Sequence, residues 1–136
     1  MKTRHFVTLS TLPLVMGACT SDADNPPRSA AASAATPAAE AIGPALDCLP
    51  LTQFNNSRIR DDRTIDFIGG AGNKVWRVTL PNRCAGLKAA NAFTYETSLS
   101  QLCKLDIIYP LNQFGNTLQR GPGCGLAPFV PVKLTQ

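Results

Sequence analysis

The chain has 136 residues and a net charge of +4, with 16% of its residues charged, which bounds it to a single domain. Its one histidine, His5, stands at the start of the chain, so Ser-His-Asp and Cys-His catalysis and histidine-ligated metal sites are excluded from everything after it. The small positive excess permits contact with anionic surfaces without demanding nucleic acid.

Lys2 and Arg4 form a short basic start, and residues 6–15 are largely apolar. A transmembrane helix needs roughly 20 such residues, so this run fits the hydrophobic region of an export signal. Met16-Gly17-Ala18-Cys19 follows. Small residues ahead of a cysteine resemble a bacterial lipobox, although Met16 replaces the usual leucine. The resemblance implies a lipoprotein signal over residues 1–18 and lipidation of Cys19, which becomes the first mature residue. More than one acyl chain holds a protein stably at a bilayer where a single chain does not. Thr20 after the cysteine implies, by analogy with the sorting rule of enteric bacteria, the periplasmic side of the outer membrane, with the inner membrane as the alternative.

Residues 20–46 read TSDADNPPRSAAASAATPAAEAIGPAL. This composition offers too little apolar surface to offset chain entropy, and Pro27, Pro37 and Pro44 interrupt any long helix. With Cys19 it forms an expected tether over residues 19–46, spanning roughly 30 Å as a flexible coil. Residues 47–136 are then the domain, with ten Lys and Arg against six Asp and Glu.

Within the domain, residues 49–54 suit either a strand or one helical turn, and residues 58–60 a short first strand. Residues 64–68 alternate, with Ile65 and Phe67 on one face; Gly69, Gly70 and Gly72 make a permissive loop; Trp76, Val78 and Leu80 then alternate inward. Two alternating runs around a short glycine loop predict a hairpin. Residues 86–91 suit a short helix and residues 92–97 a strand. Residues 105–111 suit another, with Leu105, Ile107 and Tyr109 on one face. Residues 129–134 suit an edge strand, because Pro131 cannot donate to a central ladder. About five short strands of this kind predict an all-β domain, a small SH3-like or OB-like barrel stapled by disulfides.

Cys48, Cys84, Cys103 and Cys124 are an even set with no CxxC pair, which predicts two disulfides and neither a redox motif nor a ribbon-type zinc site. Three connectivities are open; we favour Cys84–Cys103, which closes a middle loop, with Cys48–Cys124, which ties the domain's ends. With the thiols paired, no cysteine nucleophile remains.

The segments CLPL, DDRTIDF, VWRVTLPNRCAGL, FTYETSLSQLCKLDII and GPGCGLAPF are together similar to a family of small exported proteobacterial proteins, domain of unknown function 6491. The similarity runs from Cys48 to Pro131, and the cysteine contexts are its most specific part. It implies a compact, exported, cysteine-bridged domain. The family carries no assigned activity and no catalytic residues, so no mechanism follows from it.

Three features invite sharper readings. Asp61 and Asp62 are paired carboxylates suited to acid–base work or a cation, with Asp66, Glu96 and Asp106 as possible seconds. Yet adjacent residues of an extended chain point to opposite faces, and aspartate beside free backbone N–H groups favours a turn; we expect a turn. The loop at Gly69 leads into a strand and lacks the Lys-Ser/Thr and helix of a phosphate-binding loop. Arg58, Arg60, Arg63 and Arg77 form an expected solvated face able to meet an anionic ligand. Trp76, which would make a nucleic-acid stacking platform beside them, belongs with Val78 and Leu80 in the core.

The residues therefore point to a non-enzymatic envelope lipoprotein with a binding or structural role. It is held to the membrane by its lipid, with an envelope protein or glycan as partner, no nucleic acid, no cofactor, no metal and no catalytic residue. Two alternatives stand beside it: a carboxylate-based enzyme on an envelope polysaccharide, and an accessory subunit that docks through its arginine face.

Overall fold

A computed structural model describes residues 36–70 and 74–135. The expected signal, Cys19 and most of the expected tether lie outside the described residues. The fold is all-β, with eleven short strands, a 3₁₀ turn at Leu51–Gln53 and one helical turn, α1, at Leu87–Ala90.

A five-stranded antiparallel sheet runs in the order β1-β11-β5-β4-β3. Its members are β1 (Ala39–Ala41), β3 (Asn56–Ile59), β4 (Thr64–Ile68), β5 (Val75–Thr79) and β11 (Val130–Leu134). A second sheet contains β10 (Cys124–Gly125), β8 (Ile107–Phe114) and β6 (Phe93–Tyr95), with β9 (Thr117–Arg120) folding back on β8. A ribbon pairs β2 (Cys48–Pro50) with β7 (Gln101–Cys103). The sheets keep separate edges, so the expected barrel is not closed and the strand count is about twice that expected.

The core lies where the three sheets meet. Ile59, Ile65, Phe67, Trp76 and Val78 project from the large sheet onto Leu49, Leu102, Ile108, Leu126 and Phe129. Phe67 is the hub. Its ring meets Phe54, Phe129 and Phe93 edge-on at centroid distances of 5.0, 5.4 and 6.1 Å, an arrangement worth about 0.5–1.5 kcal/mol per pair beyond the area buried. The register sets Phe67 opposite Trp76 and Ile65 opposite Val78, so the alternation visible in the hairpin sequence is the core face.

Four expectations need correction. The tether was expected to reach residue 46, but the chain from Thr36 onward runs along the domain. β1 pairs with β11, Ile42 N–H donates to the Pro131 carbonyl at 2.9 Å, and Leu46 and Phe129 exchange two bonds at 2.8 Å. Alanine-rich composition hides this strand because its stability comes from the ladder rather than from its own side chains. β11 is in consequence not an edge strand. Pro131 is tolerated because its carbonyl faces β1, so its N–H-less nitrogen faces the same side, where the ladder has already ended at Ala41.

The third correction is one of phase. Ile108 and Pro110 are the buried residues of β8, while Leu105 is 85% exposed. A turn at residues 104–105, held where Cys103 N–H donates to Asp106 Oδ2 at 2.7 Å, takes Leu105 out of the strand, which begins at Ile107 and turns Ile108 and Pro110 inward. β8 also continues past residue 111 into a hairpin with β9, turned at Gly115 with φ of +58°. The Gly-Asn pair at its tip is the signal that marks such a turn, although both strands lack an apolar face there.

The fourth correction concerns the disulfides, which join Cys48 to Cys103 and Cys84 to Cys124. The two ends of the domain are already tied by backbone pairing through β1 and β11. Cys48 instead faces Cys103 directly across the β2–β7 ribbon. Cys84 is fully buried and ties the segment after β5 to β10. Among the described residues no helix is long and apolar enough to cross a membrane, and the two disulfides fit an oxidising compartment.

Proteolytic mapping without reduction is expected to recover Cys48 with Cys103 and Cys84 with Cys124; Cys84 recovered with Cys103 would overturn this register. Closing loops of 55 and 40 residues corresponds to about 4 kcal/mol each on the chain-entropy account. A Cys84→Ala/Cys124→Ala chain should lose about that much in urea unfolding.

Candidate functional site

On the face of the large sheet opposite the core, register puts Arg58, Asp66 and Arg77 side by side across β3, β4 and β5. Asp66 is 0% exposed, an unusual position for a carboxylate unless it is paired. Arg77 grips it as a fork, Nε to Oδ1 at 2.7 Å and Nη2 to Oδ2 at 2.9 Å. Arg60 donates from Nε to Oδ2 at 2.7 Å. The third donor of Arg77, Nη1, reaches the Pro37 carbonyl at 2.8 Å and so holds the segment ahead of β1 over the clamp.

The four expected arginines therefore divide. Arg60 and Arg77 are committed to Asp66, with side chains only 17% and 13% exposed. Arg63 belongs to no face: its guanidinium donates to the carbonyls of Leu80 and Pro81 at 3.1–3.2 Å and closes the end of β5. Arg58 is exposed and makes no ion pair among the described residues. Trp76 lies in the core as expected.

Beside β3 lies an open cleft of about 430 Å³ lined by Arg58, Arg60, Ser57, Pro37, Lys88 and Asn91, with Ile59 at its floor. Lys88 and Asn91 come from α1, whose single turn sits between two left-handed residues, Gly86 at φ +82° and Asn91 at φ +49°. Glycine adopts that conformation freely and asparagine more readily than most residues. The Lys88 Nζ donates to the Ile59 carbonyl at 3.2 Å, which fixes the ammonium over the edge of β3. Neither Lys88 nor Asn91 carries a motif; only the fold brings α1 against β3.

The carboxylates do not assemble. Asp61 Oδ1 accepts the Arg63 N–H at 2.7 Å, and its other oxygen accepts from the Thr36 hydroxyl. Asp62 accepts the Lys88 N–H at 2.9 Å and the Arg83 guanidinium at 2.8–3.0 Å. Glu96 pairs with Arg120 at the surface, and Asp106 holds the turn before β8. Among the described residues no three His, Cys, Asp or Glu side chains gather in a metal-holding group. Each acid is occupied with backbone or a cation, which is the turn-forming role the DDR sequence suggested.

Two of these acids titrate away from their ordinary 3.8. Partial burial pushes Asp61 up, but the hydrogen bonds from Thr36, Arg63 and Thr64 outweigh it and hold it below that value. The Lys88 N–H, then Arg83, hold Asp62 below it too. Comparison with family models, curated proteins and solved structures found no match.

Two outcomes are expected. Asp66→Asn leaves two largely buried guanidiniums with no counter-charge, so it should cost about 3–5 kcal/mol in urea unfolding, whereas Glu96→Gln, in an exposed pair, should cost under about 1 kcal/mol. Because Asp61 and Asp62 have lowered folded values, they stabilise fully above pH 3.8 and lose that contribution as pH falls through those values. The unfolding midpoint should fall on that acid limb, and Asp62→Asn should make the fall shallower.

Proposed function

We propose that this chain is a non-enzymatic, exported lipoprotein domain with a binding or structural role, held to a membrane by a lipid on Cys19 and meeting an envelope protein or glycan. The supporting observation is the state of its acids and bases. The one buried carboxylate, Asp66, is fully engaged by Arg60 and Arg77, and Asp61 and Asp62 serve a turn. A carboxylate hydrolase needs two convergent acids about 5–9.5 Å apart, one of them with a raised pKa, whereas the two shifted acids here are both lowered. All four domain cysteines are bonded, which leaves no thiol for chemistry and agrees with export. The resemblance of residues 48–131 to a family without assigned activity adds nothing against this reading.

Docking as an accessory subunit is the second reading; of the four arginines expected to carry it, Arg58 is the one left exposed and without an ion pair among the described residues. Mass spectrometry of the natively exported chain tests the proposal. A lipid adduct on Cys19 and no uptake of alkylating reagent before reduction are expected; an unlipidated chain, or one with a reactive thiol, would overturn it. So would hydrolysis of an envelope polysaccharide that is abolished by Asp61→Asn or Asp62→Asn while the unfolding midpoint holds.

A further inference from the structure

The geometry points to the cleft between β3 and α1 as a binding site for a phosphate monoester group, with Arg58 and Lys88 as its charge-bearing residues and Ser57 and Asn91 as neutral donors. This rests on the non-catalytic binding role above and names the site and the ligand class.

Charge is the first argument. Arg60 and Arg77 share the single charge of Asp66, so that cluster is already positive by one. Arg58 adds a guanidinium with no ion pair among the described residues. Lys88 adds an ammonium whose one acceptor there is a neutral carbonyl. The carboxylate nearest in the fold to α1, Asp62, is taken by Arg83 and the Lys88 backbone N–H. The cleft therefore holds at least two uncompensated positive charges and no free acid. An incoming anion meets attraction from Arg58 and Lys88, while the charge of Asp66 is screened by its own clamp.

Donor chemistry is the second argument. Arginine offers a planar fork and lysine a point charge, the combination suited to phosphate. Ser57 and Asn91, which carry a hydroxyl and an amide, are the neutral polar residues among those that line the same cavity. A phosphate monoester has roughly two charges and three strong acceptor oxygens, which matches two separate cations better than the single charge of a carboxylate does. About 430 Å³ leaves room for the phosphate and the group that carries it. The lining is mainly polar and charged, so it fits a headgroup or a sugar-like ester rather than an acyl chain.

The site is also preorganised. Arg60 is fixed by Asp66, Lys88 by the Ile59 carbonyl, and Asn91 by its N–H to the Leu87 carbonyl at 3.1 Å. The Arg58 side chain, the Ser57 hydroxyl and the Asn91 amide are left to be ordered by the ligand, while the backbone that carries them and the Lys88 ammonium are already held, which limits the entropic cost of binding.

Nuclear magnetic resonance titration of the full chain with glycerol 1-phosphate tests this, read at the Arg58 Nε–H, the Lys88 ammonium and the Asn91 amide. Saturable shifts at these groups are expected. Arg58→Gln and Lys88→Gln should each weaken binding about tenfold or more, with unfolding midpoints held because neither residue supports the clamp. Arg120→Gln, outside the cleft, should leave affinity unchanged. In a second arm the chain is placed in phosphatidylcholine nanodiscs with and without phosphatidic acid. Shifts with phosphatidic acid alone assign the ligand to a lipid headgroup; shifts with the soluble ester alone assign it to a soluble phosphate; either supports the site. No shift in both arms, or shifts that survive Arg58→Gln/Lys88→Gln, overturns the site and leaves the non-catalytic reading standing. Release of inorganic phosphate from the bound ester would overturn that reading instead and leave the site.

Discussion

Everything on the outer face of the large sheet follows from one buried carboxylate. Asp66 sits at the middle of β4, between β3 and β5, with no exposure, and removing a charge from water costs several kcal/mol even after relaxation. Two arginines offset that cost, Arg77 from β5 and Arg60 from the residue just after β3. The requirement reaches beyond the pair. A one-residue slip of β4 would turn Asp66 into the aromatic core and Phe67 out of it, so the clamp and the Phe67 cluster fix the same register from opposite sides. Arg77 then has one donor left, and it is this donor that binds the Pro37 carbonyl and draws the N-terminal segment onto the sheet.

The core hairpin was legible in the sequence, because period-two alternation around a glycine loop has few other solutions. So were the DDR turn, the core position of Trp76 and the existence of two disulfides. The clamp was not legible. Arg58, Arg60 and Arg77 look alike as letters, and register alone would give Arg58 and Arg77 to Asp66; the side-chain geometry instead gives it Arg60 and Arg77. Lys88 and Asn91 were missed for a similar reason: they lie about 30 residues from Arg58, and nothing local marks their approach. The strand at Ala39–Ala41 was missed because alanine and glutamate carry no strand signal. Pro131 made β11 look like an edge, and with β1 unseen Cys48–Cys124 was favoured as the tie between the ends.

Acids and bases in this small domain thus have unequal freedom. The described Asp and Glu residues named as candidates all hold backbone or a cation in place, and none is left over for a reaction. The domain's cations outnumber its acids, and two of those without an ion pair among the described residues, Arg58 and Lys88, stand where α1 meets the edge of β3. An open sheet edge is a liability for a small β protein. Here Lys88 covers the Ile59 carbonyl and the Asn56 side chain covers the Ser57 N–H at 2.7 Å, so one residue of the cleft, with Asn56 beside it, also guards the edge against unwanted strand pairing.

The N-terminal segment has a mechanical consequence. A pull on the chain ahead of Thr36 is delivered first to the Thr36–Asp61 and Arg77–Pro37 bonds, then to the short ladder between β1 and β11. These can part without opening the core, because the core residues begin at Leu49. The yielding length ends at Cys48, whose covalent bond passes the load across to β7. Twelve residues, 36–47, can therefore be paid out before the core is loaded, roughly 40 Å of extended chain. Under tension the domain lengthens before it unfolds, and the strand that re-forms on β11 when the load drops reels it back in.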